Sequence, residues 1–324
     1  MNQQTIASLA PLVSNDTFEL IILPTEACNF RCTYCYEDFT LGAMSPAVVR
    51  SVKNFLSRRA VTAENITLSW FGGEPLLAKD VVLDVSNHVM NIVACKRHAK
   101  FNGTITTNGY LLTPWTIAQL ASAGILYYQI ALDGPRQRHN LTRRLNHGDK
   151  GTFDTIWKNL LEIRDSILPL SVLLRVHFDA YSYRELEPLI EDICQELLPS
   201  NRFTIFFREL SRLGGPNDAD IPVLSESEKR TVLERLYSLS GTTPYQKKLE
   251  NYVCYASRAN SLVIRSNGTV AKCTVAFRDQ RNHIGSLNPD GTLDIKQDRL
   301  ALWLRGLMTM EKRILACPLR GLPA

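Results

Sequence analysis

The strongest limit on this chain is a repeating alternation of strand-length apolar runs with longer segments of helical period. The runs are Phe18 to Leu23, Ile66 to Trp70, Phe101 to Thr106, Tyr128 to Leu132, Val172 to Val176 and Arg202 to Phe207. Between them lie Pro46 to Arg59 behind the cap-like Ser45, Asp80 to His98, Pro114 to Ala123 behind Thr113, Phe153 to Asp165, and Tyr183 to Leu198. Strands followed by helices bury both faces of a parallel sheet, so the pattern predicts an α/β fold. Six such units do not reach the eight of a closed barrel. The expected architecture is therefore a partial (β/α)6 TIM barrel, with its chemistry at the C-terminal ends of the strands.

The pattern changes near Ser211, where SRLGGPNDADIPV reads as a linker. This divides the chain into a barrel over residues 1–210 and a linker with a small C-terminal domain over residues 211–324. The second part holds a helix-like stretch from Glu226 to Ser238 and two short strands around Asn267-Gly268, a two-residue hairpin signal. NPDG at Asn288 to Gly291 marks another hairpin. There is no internal repeat and no low-complexity tract.

A chain of 324 residues that is 45% apolar can bury a large core. Its net charge of +5 comes from 37 basic and 32 acidic side chains without a basic block, which gives no reason to expect nucleic acid. No signal peptide opens the chain and no apolar run is long enough to cross a bilayer, so a cytoplasmic location without a membrane partner is expected. In that compartment the eight cysteines read as metal ligands plus buried thiols rather than disulfides. Cys95 and Cys194, inside amphipathic segments, are expected to be the buried thiols.

Cys28, Cys32 and Cys35 have CxxxCxxC spacing in the loop after the first strand. A loop of that length can curl three thiolates around one face of a [4Fe-4S] cube and leave one iron open. A zinc site is the alternative, but structural zinc takes four closed ligands and no fourth Cys or His lies nearby.

This motif, with Tyr34 just before its last cysteine, resembles the defining motif of the radical S-adenosylmethionine (SAM) superfamily, and the resemblance extends over most of the chain. It implies an enzyme in which SAM binds the open iron through its amine and carboxylate and is cleaved reductively to a 5′-deoxyadenosyl radical. It implies an external electron donor such as flavodoxin or ferredoxin. Tyr34 would border the adenine. Gly72, Gly73 and Glu74, in SWFGGEPLL, match the element whose backbone and carboxylate engage the SAM amine. TITTNGYLL resembles the third-strand element, placing Asn108 near the ribose or substrate. QIALDGP resembles the fourth-strand element, with Ala131 where a Ser is common. Arg175, in LLRVHFD, becomes a candidate partner of the SAM carboxylate. Asp133 and His177 are the candidate catalytic side chains.

Cys254, Gly268 and Cys273, followed by Cys317, resemble the opening of the SPASM or shorter twitch extension, which implies an auxiliary iron-sulfur cluster. A full SPASM extension has more cysteines, so the domain is expected to be twitch-like with a non-cysteine or exogenous fourth ligand, or else the sequence stops short of a terminal cysteine-rich tail. In a single-cluster twitch pattern a further cysteine is expected near position 320, which is Arg320. The peptide-modifying branch is the best match, through GGEP, LDGP, the segment RRLNHGDKGTFDTIWKNL and the hairpin. It implies a precursor peptide as partner, cross-linked or epimerised, that is, maturation of a ribosomally synthesised, post-translationally modified peptide (RiPP). The stretch before the first strand is too short for a peptide-binding N-terminal domain. The alternatives are a twitch-type dehydrogenase of a small molecule and a formylglycine-generating sulfatase maturase, the latter disfavoured because Thr274 stands where that branch has an Asp.

Overall fold

In chain order the strands are β1 (Thr17–Ile22), β2 (Phe30–Cys32), β3 (Asn65–Trp70), β4 (Lys100–Thr107), β5 (Ile125–Leu132), β6 (Arg143–Leu145), β7 (Ser171–Phe178), β8 (Phe203–Glu209), β9 (Ser261–Ile264), β10 (Thr269–Ala271), β11 (His283–Leu287) and β12 (Leu293–Ile295). The helices are α1 (Pro46–Arg59), α2 (Lys79–Ala94), α3 (Pro114–Ser122), α4 (Arg136–Thr142), α5 (Phe153–Asp165), α6 (Glu187–Glu196), α7 (Glu226–Ser240), α8 (Gln297–Thr309) and α9 (Lys312–Ala316). The computed structural model describes residues 10–96, 98–148, 150–243 and 252–322. The class is α/β with parallel strands, as expected.

The chain forms two compact units, one of Met1–Ala27, Phe39–Thr104 and Glu250–Ala324, the other of Cys28–Asp38 and Ile105–Leu249. Neither unit ends at residue 210. In the first unit the strand order is β12-β11-β10-β9-β1-β3-β4. β1 pairs in parallel with both β3 and β9. A strand flanked on both sides in the centre of a sheet reads as a continuous apolar run, and Leu20, Ile22 and Leu23 are fully buried. Ser45 caps α1 through the Val48 amide, with Pro46 in the first turn.

In the second unit β5, β7 and β8 are parallel neighbours. Residues of β8 alternate between buried Phe203, Ile205 and Phe207 and the more open Thr204, Phe206 and Arg208, so one face is packed and the other is left half-open. β2 and β6 form a separate antiparallel pair.

Several expectations need correction. The helix expected to reach His98 stops at Ala94, and Cys95 is exposed rather than buried. Cys194 is only half-buried, its Sγ 3.6 Å from the Ser240 carbonyl. The helix expected from Tyr183 splits into a 3₁₀ turn and α6, because Pro188 lacks the amide a continuous helix needs and suits only a first turn. The Asn267-Gly268 hairpin has a three-residue loop, not two: Arg265 N donates to Thr269 O at 2.9 Å, and Gly268 takes the left-handed conformation at φ 85°. Gly291 closes the second hairpin with φ 83°. No described helix is long and apolar enough to cross a membrane.

Candidate active site

The Cys28–Cys35 loop is held by backbone and side chains of its own unit. Phe30–Cys32 pairs with Arg143–Leu145, which sets Cys32 opposite Arg143. The Phe30 amide donates to Cys28 Sγ at 3.3 Å, and Cys35 N donates to Cys32 O at 3.1 Å. Asn108 Nδ2 donates to Asn29 Oδ1 at 2.8 Å, while its own Oδ1 accepts the Tyr110 amide. Asn217 Nδ2 donates to Thr33 O at 2.9 Å, and a Cβ at Gly215 would stand 2.6 Å from the Cys35 carbonyl. The linker is thus packed against the cysteine loop.

Tyr34 does not present a free phenol. Its OH donates to Asp133 Oδ1 at 2.9 Å and accepts from Arg143 Nη1 at 2.9 Å. His177 Nδ1 lies 3.1 Å from the same carboxylate oxygen, which fixes the proton on Nδ1, since a carboxylate can only accept. Thr142 Oγ1 donates to Asp133 Oδ2 at 2.8 Å. Burial by itself would raise the Asp133 carboxyl, but Arg143, His177 and His139 hold it well below the carboxylate range. Burial lowers His177 to about 4 against the pull of Asp133, and His139 to about 3. Both imidazoles are therefore neutral near pH 7 and Asp133 is charged. The two candidate catalytic side chains are brought together, but as members of a buried hydrogen-bonded network in which the Asp133 carboxylate is already engaged.

Arg143 is the residue that sequence reasoning missed. It stands 109 positions from Tyr34, in a three-residue strand too short to show a period. Its guanidinium also lies over the Phe30 ring, 5.5 Å from the centroid. Burial pushes the Cys32 thiol up to about 12, with Arg143 opposing. A metal must then displace the proton from Cys32.

Arg175 lies on the half-open face of β7, and its Nε is buried without a hydrogen-bond partner. Burial, then Arg208, lowers it to about 10. An orphaned guanidinium nitrogen suits a carboxylate.

In the first unit, Gly72 and Gly73 make the close approach expected of them, but to their own chain. A Cβ on Gly73 would sit 2.6 Å from the Glu26 carbonyl, and one on Gly72, at φ 120°, would strike the Thr25 carbonyl. Glu74 is fully buried, and its Oε1 accepts the Leu76 amide at 3.0 Å. The neighbouring Glu26 carboxylate is gripped by Arg265, with Nε–Oε1 at 3.0 Å and Nη2–Oε2 at 2.5 Å.

Cys254, Cys273 and Cys317 also lie in the first unit and are electrostatic neighbours. Asn282, fully buried, accepts the Lys272 and Cys273 amides and donates to the Cys273 and Ala276 carbonyls. Tyr255 OH lies 2.7 Å from Thr274 Oγ1. Burial raises Cys254 to about 11. Arg320 O accepts from Arg305.

All eight cysteines are free. Among the described residues no three His, Cys, Asp or Glu side chains are arranged to hold a single metal ion. A four-iron cube binds each thiolate on a separate iron, and the half-buried Cys28, Cys32 and Cys35 on one anchored loop fit that donor set.

Among curated proteins, the chain is similar to a GTP 3′,8-cyclase of Haemophilus influenzae, 32% identical over 123 residues covering 36% of this chain and 34% of that protein. It thus spans about a third of the length of the first such relatives. A probable GTP 3′,8-cyclase of Pyrobaculum aerophilum is 24% identical over 296 residues, 85% of this chain and 90% of that one. Among solved structures, anSMEcpe with bound AdoMet and Cp18Cys peptide superposes with a TM-score of 0.66 at 18% identity, over 93% of this chain and 88% of that one. Streptococcus suis SuiB bound to precursor peptide SuiA gives 0.61 at 16%, over 99% and 74%. The fold is shared with both. The radical SAM superfamily model matches residues 22–193, more than half the chain, so this protein belongs to the radical SAM superfamily.

Proposed function

We propose that this enzyme modifies a ribosomally synthesised peptide, installing a cross-link or epimerising a residue. In this reading Cys28, Cys32 and Cys35 hold a [4Fe-4S] cluster, and Cys254, Cys273 and Cys317 hold an auxiliary iron-sulfur cluster. When bound, the first cluster and SAM supply reductive cleavage to a 5′-deoxyadenosyl radical that removes hydrogen from an unactivated carbon. The chain's own residues position and shield. The β2–β6 pairing fixes the cysteine loop, and Arg143 and Asp133 hold Tyr34 where its ring can border SAM. Arg175 offers its unpartnered Nε to the SAM carboxylate. The Gly72–Glu74 backbone is the contact for the SAM amine, with the Glu74 side chain kept in place by Leu76 N. Asp133 and His177 act by holding Tyr34 rather than by moving a proton.

The observation that carries the reading is the anchored loop of three free thiols in a chain of this superfamily. The peptide substrate is supported by the fold shared with peptide-bound anSMEcpe and SuiB, and by the thiols gathered beside the C-terminal hairpin. A second reading, a purine nucleotide substrate, is favoured by the match to the Pyrobaculum aerophilum protein over most of both chains. Anaerobically reconstituted enzyme with an electron donor and SAM decides between them. Faster 5′-deoxyadenosine release with a precursor peptide, accompanied by a mass change in it, is expected; a cyclised product from GTP instead would overturn the peptide reading. About eight irons per chain support two clusters, and about four remove the auxiliary one.

A further inference from the structure

Arg208 stands on the half-open face of β8, directly opposite His177 on β7, two residue pairs beyond Arg175 opposite Phe206 and so on the same face of the sheet. Arg208 and Arg175 are electrostatic neighbours of like charge. Arg208 has no hydrogen bond or ion pair among the described residues, and the Arg175 Nε is orphaned. The acid at the adjoining end of β5, Asp133, already accepts from Tyr34, His177 and Thr142. The next acid along β8, Glu209, points to the packed face and pairs with Lys229 at 3.3 Å. Two neighbouring guanidinium groups without a counter-charge favour binding of an anion. SAM does not supply enough: its one carboxylate is accompanied by an ammonium and a sulfonium, so it leaves the site positive.

We propose that Arg208, beside Arg175, is a substrate-selecting residue that seats a carboxylate or phosphate of the substrate. The inference rests on the radical SAM reading only for SAM at Arg175, and it deepens the peptide reading by requiring an acidic group near the residue attacked. The guanidinium fork receives either oxyanion in a bidentate manner. The source of that oxyanion, an acidic side chain or a nucleotide phosphate, separates the two substrate readings.

The test is calorimetric binding to the reconstituted holoenzyme saturated with SAM, using acetyl-triglutamate amide, its triglutamine counterpart and inorganic pyrophosphate as probes. Wild type is expected to bind an anionic probe and to ignore triglutamine. Arg208→Gln should weaken that binding by about tenfold, the loss of one charge-assisted hydrogen bond, and Arg208→Lys should recover part of it. Iron content equal to wild type shows that each variant is folded, and the lysine variant alone decides if the glutamine one is not. Triglutamate preference assigns an acidic peptide, and pyrophosphate preference a phosphorylated substrate. No anion binding, or equal binding by wild type and variants, overturns the proposal. Anion binding without modification of any peptide would remove the peptide reading and leave this one standing.

Discussion

The two sets of three thiols are built by opposite means. Around Cys28, Cys32 and Cys35 the support is ionic: buried Arg143 and Asp133, 3.8 Å apart, tie Tyr34 and His177 into one network. Around Cys254, Cys273 and Cys317 no buried acid–base pair does this: Asn282 holds the Cys273 backbone, Tyr255 pairs with Thr274, and the buried Lys272 ammonium donates to backbone carbonyls of Arg258 and Ser261. Desolvated charges fix geometry firmly but punish the loss of either partner, whereas neutral amides lose only their own bonds. The ionic support therefore concentrates risk at the first triad. The neutral one spreads it.

The sharpest break of this comparison is Cys32→Ala against Cys273→Ala. The first should abolish 5′-deoxyadenosine formation, and the second should retain it while losing about half the iron; normal SAM cleavage by Cys32→Ala would sink the assignment of the first triad. Next, Arg143→Met leaves Asp133 charged and buried, so unfolding of the cluster-free protein should cost about 3 kcal/mol less than in wild type. An unchanged denaturation midpoint would remove Arg143 from its supporting role. Asn282→Ala deletes four hydrogen bonds by a neutral group and should cost about 2 kcal/mol, read by the same denaturation. If it exceeds Arg143→Met, the ranking of ionic over neutral support is reversed.

The most gradual effect is with pH. His177 titrates at about 4 when folded against an ordinary 6.5, so the unfolded chain takes up the proton first as pH falls. Its contribution is present above pH 6.5 and is lost between 6.5 and 4, on the order of a few kcal/mol at most. His139, lowered to about 3, adds in the same direction. His177→Phe should flatten the stability profile of the cluster-free protein over that range, and an equally steep profile would show that His177 is not buried neutral.

Much of the framework was legible because it is written in local pattern. Pro46–Arg59 begins at its Ser45 cap, and both it and Phe153–Asp165 span the segments their apolar period marks. The CxxxCxxC spacing sits within one loop, so its meaning needs no distant partner. The exposed Cys95 and the broken helix before α6 escaped for equally local reasons, a helix end and a proline outweighed by an apolar period.

The sequence by itself determined the class of fold, the family and the spacing of the cysteines, since each depends on periodicity or on neighbours along the chain. Only the tertiary structure decided what surrounds them. Leu20 pairs with Leu262, Arg143 reaches Tyr34, and Arg208 meets Arg175 without a counter-ion. Those contacts join positions far apart in the chain, and a buried charge or an unpaired one is defined by what folding leaves beside it rather than by its own residue type.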